Sequence, residues 1–132
     1  MKTILVVDDE YALLENLTEL LQDEGYRVVS AANGKDGLER LKKEKPDLVL
    51  TDHMMPLADG REVVRSMRAL PDFRSTPVVM MSATTKTVAL SDASGAVEVS
   101  AFLKKPFRWE KLLETIVGLI GRSEKAAQDQ KP

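Results

Sequence analysis

The chain has 132 residues, the size of one domain, and can bury roughly two-thirds of its unfolded surface without staples. It has no cysteine, which excludes disulfides and thiolate metal sites, and its 19 basic against 21 acidic residues (net charge -2) argue against a nucleic-acid module. No apolar run approaches the roughly 20 residues of a membrane span, and Met1-Lys2-Thr3 leads into a strand-like run with no sign of a signal peptide, so a soluble cytoplasmic domain is expected.

Ile4–Val7 is a continuous β-branched and leucine run, the pattern of a strand covered on both faces. Leu13, Leu14, Leu17, Leu20 and Leu21 then form one face of an amphipathic helix, with Gly25 suited to its C-terminal end. Arg27–Ala31 reads as a more polar, edge-like second strand, and Asn33-Gly34 as a turn. Leu38 and Leu41 mark a short helix ended by Pro46, and Asp47–Thr51 is the third strand. Val63, Val64, Met67 and Leu70 give a third helix, stopped by Pro71, and Pro77–Met81 is the fourth strand. Residues 85–96 are expected to be helical, although their pattern is weak and rich in Ser, Ala and Thr. Ala101–Leu103 reads as a short fifth strand, and Trp109, Leu112, Leu113, Ile116, Val117 and Ile120 as the strongest helical stripe. One domain is expected over residues 1–121, with 122–132 a polar, disordered tail.

Five strands alternating with five helices imply an α/β domain with a parallel sheet and helices on both faces. Functional groups in such sheets stand beyond the carboxyl ends of the strands. There the first strand ends in Asp8, Asp9 and Glu10, the third in Asp52, the fourth in Ser82 and the fifth in Lys105. Singly, each has a bland explanation: a helix cap, a loop residue, a solvated charge. If the first and third strands are neighbours, however, three carboxylates share one crevice. Like charges ~4 Å apart repel by about 4 kcal/mol at an effective dielectric near 20. Such a cluster must protonate, bind a cation or pair with a positive side chain. An all-oxygen site suits Mg²⁺, and a divalent ion, a lysine and a hydroxyl around one carboxylate suit phosphoryl transfer onto Asp52.

Four pieces, "ILVVDDE", "DLVLTDHMMPLADG", "VVMMSA" and "FLKKPF", together resemble the receiver domain of two-component response regulators, across residues 3 to about 121. The resemblance implies a flavodoxin-like, doubly wound five-stranded parallel sheet of order 2-1-3-4-5 with five helices. It implies that Asp52 is the phosphoacceptor. Asp9, Asp52 and the backbone carbonyl of Met54 would ligate Mg²⁺ (or Mn²⁺ as a substitute), with Asp8 acting through metal-bound water. Ser82 and Lys105 would contact phosphoryl oxygens, and Ser82 and Phe102 would form the switch. Lys104 is disfavoured, because one alternation step puts it on the other side of the strand. Ser82 stands where Thr is more frequent, Phe102 where Tyr is commoner, and Glu98-Val99 where a Gly-Ala pair is usual. His53, the only histidine, is expected to be an exposed loop residue, and Met54, Met55, Met80 and Met81 to be packing residues.

By the same resemblance the chain is a signalling switch and not an enzyme beyond its own phosphoryl transfer and autodephosphorylation. Its partners would be a sensor histidine kinase or histidine phosphotransfer protein and a downstream target protein, with neither direct nucleic-acid contact nor membrane insertion. It would be a monomer or a phosphorylation-dependent dimer. The chain ends soon after the last helix, so output is expected through a partner and a stand-alone regulator is favoured. The alternatives are a phosphorylation-independent pseudo-receiver, a haloacid-dehalogenase-type phosphatase and a flavin carrier. The second lacks the Asp it would need at Met54, and the third would meet repulsion from Asp8, Asp9 and Glu10 in its phosphate loop.

Overall fold

The structure is a computed structural model that describes residues 1–93 and 95–122. The expected tail therefore lies outside the described residues except for Arg122. Five parallel strands, β1 (Thr3–Val7), β2 (Arg27–Ala31), β3 (Leu48–Asp52), β4 (Val78–Ser82) and β5 (Ala101–Lys104), pair in the order β2-β1-β3-β4-β5. This is the flavodoxin-like order, and it makes β1 and β3 neighbours, with Val6 opposite Leu50 and Val7 opposite Thr51.

Alternation along the strands sorts the core into two layers. Leu5, Val7, Val49 and Met80 pack on one face with Val63, Val64 and Met67 of α3 (Gly60–Ala69) and Leu41 of α2 (Gly34–Glu44). Ile4, Val6, Leu50 and Met81 pack on the other with Leu14, Leu17 and Leu21 of α1 (Tyr11–Asp23) and Leu112 and Ile116 of α5 (Trp109–Ile120). Both faces of β1, β3 and β4 are thus covered, which is why each carries a continuous apolar run, Ile4–Val7, Leu48–Leu50 and Val78–Met81. Each fully buried aliphatic side chain contributes about 1.5–3 kcal/mol against the entropy of ordering the chain.

Caps set where the site-facing helices begin. The Asn33 side chain accepts the Asp36 N–H at the start of α2, and Asp59 accepts the Glu62 N–H at the start of α3. Each such cap is worth about 1 kcal/mol. At α1 the flanking residue is Glu10 with no side-chain cap, so neither Asp8 nor Asp9 is consumed in capping.

The third strand is displaced by one residue from the sequence expectation. Asp47 stands outside it, accepting the Thr3 N–H at 2.7 Å, while Asp52 is its last residue. A larger departure lies at 85–96. Helix α4 covers only Lys86–Leu90, and a two-stranded antiparallel ribbon then pairs Ser91–Asp92 with Gly95–Ala96. Ser91, Asp92 and Gly95 are weak helix formers, and Gly95 takes φ +109, a region side chains rarely adopt. Tertiary contacts secure the alternative. Arg65 of α3 grips Asp92 with two hydrogen bonds of 2.8 and 2.7 Å and also donates to the Gly95 carbonyl, and Arg61 donates to the Ser91 carbonyl. Leu90 and Val97 meanwhile anchor both ends in the core.

Candidate functional site

The carboxyl ends of β1, β3, β4 and β5 converge on one crevice. Asp8 is fully buried one residue beyond β1, with its N–H bonded to the Ala31 carbonyl and its Oδ1 accepting the Glu10 N–H at 2.9 Å. Asp52 is buried at the end of β3, and Asp9 is exposed at the mouth. One carboxylate oxygen from each of the three lies within 4.8 Å of the others. Lys105 enters from the end of β5, and its Nζ donates to both Asp8 and Asp52 at 3.1 Å. Lys104 points elsewhere: it is exposed and pairs in register with Ser82, on the other face. The Lys105-Pro106 peptide is cis.

Backbone contacts hold Asp52 in place. The His53 N–H continues the ladder by donating to the Met81 carbonyl at 2.9 Å, and the Gly60 N–H donates to the His53 carbonyl at 2.8 Å. The start of α3 is therefore clamped against the end of β3. A cavity of about 450 Å³ opens here, lined by Asp52, His53, Met54, Ser82, Thr84 and Lys105 among others. A larger cleft of about 600 Å³ lies between α1, β2 and α2, but its charged residues, Asp36, Glu39, Arg40 and Lys43, all belong to α2 and not to strand ends.

The electrostatics follow from burial and neighbours. Burial raises the Asp52 carboxyl above its ordinary range, Asp8 raises it further, and Lys105 offsets part of both. Burial alone would lower Lys105, but Asp52 and Asp8 outweigh it and hold the amine above its usual value. The sign of the consequence is definite. A carboxyl whose folded pKa lies above its unfolded one stabilises the fold below the unfolded value and loses that contribution as pH rises through the folded one. Ionised Asp52 is a cost at neutral pH, and a cation in the crevice would relieve it.

The donor set fits a small hard cation. It is all oxygen, dianionic or more, partly open to water at Asp9, and free of His and Cys ligands, as Mg²⁺ requires. A ligand that binds only the folded state adds about 1.4 kcal/mol at tenfold its dissociation constant. Millimolar Mg²⁺ should accordingly raise the melting temperature at pH 7 by a few degrees, and less as the pH falls and the Asp52 carboxyl, held above its ordinary range by burial, takes up a proton. Melts in Mg²⁺ and in EDTA check this, and identical curves at pH 7 would argue against a cation site.

The remaining site residues lie on the α3 side of the sheet. Ser82 is buried, and its Oγ accepts the Thr84 N–H at 3.1 Å. Phe102, half-buried, lies opposite Met80 in the register and packs against that layer of the core. Met80 and Met81 are fully buried as expected, but Met54 is 65% exposed and is not a packing residue.

His53 also corrects the sequence reading: it is buried at 3% exposure and not an exposed loop residue. Its Nδ1 lies 3.2 Å from Ser82 Oγ, within hydrogen-bond distance, and its Nε2 has no partner among the described residues. Burial lowers its pKa, the Arg61 charge lowers it further against the opposing effect of Asp59, and the ring is neutral at pH 7. One signal was available in the sequence. Alternation carried two residues past Val49 and Thr51 puts His53 on their buried face, even though the strand itself has ended.

Residues 4–117 match the response regulator receiver domain family. Among curated proteins, the response regulator MprA of Mycolicibacterium vanbaalenii is 35% identical over 122 residues, covering 91% of this chain and 51% of the relative. MprA of Mycobacterium leprae is similar to the same extent, at 35% over 123 residues, covering 92% of this chain and 52% of the relative. The chain thus spans about half the length of the curated relatives it matches. Among solved structures, the Vibrio cholerae chemotaxis protein CheY4 aligns with TM-score 0.79 at 28% identity, over 91% of this chain and 99% of the other. The Thermotoga maritima response regulator TrrA, solved in complex with Mg²⁺-BeF, aligns with TM-score 0.76 at 30% identity, over 91% and 100%.

Proposed function

The chain belongs to the response regulator receiver domain family of two-component systems, and on that premise we propose that Asp52 accepts a phosphoryl group from a phosphohistidine on a sensor histidine kinase or histidine phosphotransfer protein. The observation that carries this reading is the meeting of Asp52 with Asp8, Asp9 and the Lys105 amine in one crevice.

A carboxylate oxygen of Asp52 forms the new P–O bond while the P–N bond to the donor imidazole breaks, and the electron pair leaves with the ring nitrogen. The product is an acyl phosphate. Asp8, Asp9, Asp52 and the Met54 carbonyl would hold Mg²⁺, with Mn²⁺ as a substitute. When bound, the cation supplies positive charge that neutralises the phosphoryl oxygens. Lys105, shared between two carboxylates in the phosphate-free protein, pairs with one phosphoryl oxygen. The Ser82 hydroxyl donates to another, and Phe102 follows it inward.

Phosphorylation adds about -1.5 to -2 charges and three acceptor oxygens, and the contacts made only in that state set how far the balance shifts. The surface of α4, the 91–96 ribbon, β5 and α5 would then change for a downstream protein. On this reading the domain is a switch that turns over only its own phosphoryl group. The test is direct. With Mg²⁺ and acetyl phosphate the chain should gain one hydroxylamine-labile phosphate, and none in EDTA; a wild-type chain that takes up no phosphate overturns the reading.

Lys105→Ala separates acceptance from coupling. The variant should still be labelled, because the nucleophile and the acidic cluster remain. Its phosphorylation-induced amide shifts in α4 and β5 should collapse, as read by NMR. Shifts as large as in wild type would count against Lys105 as the coupling residue.

A further inference from the structure

Ser82 and His53 stand on the same side of the sheet. In the β3–β4 register Asp52 is opposite Met81 and Thr51 is opposite Met80, and side chains opposite each other in register share a face. One step further, Ser82 and His53 both follow the Thr51–Met80 face, towards α3, whereas Asp52 and Met81 point to the other. The contacts agree. Ser82 Oγ meets His53 Nδ1 and the Thr84 N–H, while Lys105 alone bridges to Asp52 and Asp8.

The two partners differ in freedom. The His53 ring is buried, and its backbone is held on both sides, by its N–H on the Met81 carbonyl and its carbonyl on the Gly60 N–H. Ser82 needs only a rotation about one side-chain bond to redirect its hydroxyl. If either moves, it is the serine.

We infer that His53 is a positioning residue that holds the Ser82 hydroxyl away from Asp52 in the phosphate-free protein, so that activation exchanges a His53–Ser82 hydrogen bond for a Ser82–phosphoryl one. The inference rests on the reading of Ser82 as a phosphoryl ligand given above. Residue 53 then sets the threshold of the switch, although it touches neither phosphate nor cation. A neutral hydrogen bond that must be given up corresponds to roughly a two- to tenfold change in an equilibrium.

Beryllium fluoride, a phosphoryl mimic, titrated at saturating Mg²⁺ and followed by fluorine NMR, tests this. His53→Phe keeps the ring and removes its nitrogens, and should bind the mimic roughly two- to tenfold more tightly than wild type. His53→Leu, a second apolar variant, should do the same. His53→Asn carries a polar atom at the position of Nδ1 and should stay close to wild type. In a Ser82→Ala background all residues at position 53 should bind equally.

Affinities of the Phe and Leu variants no higher than wild type overturn the inference, as does a gain that persists with Ser82→Ala, since that gain cannot pass through the hydroxyl. Wild-type protein that fails to bind the mimic overturns the phosphoacceptor reading and this one with it. Normal wild-type binding with no effect at position 53 overturns this one alone.

Discussion

Asp52→Asn is expected to reduce hydroxylamine-labile phosphate to background while raising the melting temperature of the metal-free protein by a few degrees. The two effects have one origin. The carboxylate proposed as the nucleophile is also the one that burial and Asp8 disfavour in its charged form. An amide is not a nucleophile for this transfer, and it carries no charge to repel Asp8. The stability gain should be present at pH 7 and shrink as pH falls through the raised folded pKa, because wild-type Asp52 then becomes neutral as well. Labelling and melting on the same samples make the result decisive: loss of phosphate with a lowered melting temperature would mean damage to the fold and not removal of the acceptor. Labelling that persists at full stoichiometry would remove Asp52 from the mechanism.

Gly60→Ala should produce a large loss although it lies outside the acidic cluster. Gly60 opens α3, and a Cβ there would overlap the backbone carbonyl of Asp52 and press on the Met80 side chain. That carbonyl is part of a strand paired on both sides and cannot give way cheaply. Either the start of α3 lifts or the end of β3 shifts, and overpacking of this kind costs about 1–3 kcal/mol or more. A shifted strand end carries Asp52 with it. Both the melting temperature and the rate of labelling by acetyl phosphate should therefore fall. A variant that melts and labels like wild type would show that α3 can be relocated without cost to the site.

The parts of the molecule legible in the sequence are those written in local periodicity. Apolar runs marked β1, β3 and β4, and the polar residues closing them marked the crevice, because a doubly covered strand leaves a side chain free only at its end. That β1 and β3 are neighbours came from the family resemblance, since pairing order is not encoded in any window of the chain. The parts not legible depend on distant partners. His53 is buried where the start of α3 is clamped against the end of β3, the Gly60 N–H bonding its carbonyl. The helix expected over 85–96 stops at Leu90, because the ribbon is secured by Arg61 and Arg65, some thirty residues earlier. A weak Ser/Ala/Thr pattern could signal only that the helix was vulnerable, not what would replace it.

That ribbon has a consequence for the face it belongs to. Arg61 and Arg65 are one turn apart on α3 and reach it through carbonyls and through Asp92, with side chains partly open to water. Charge pairs at a surface are screened over about 8 Å at physiological ionic strength and over less in stronger salt, whereas the apolar core beneath is not. Between its two core anchors, Leu90 and Val97, the segment beside α4 is fastened partly by charge, so the ionic strength of the surroundings tunes how stiffly this part of the surface is held.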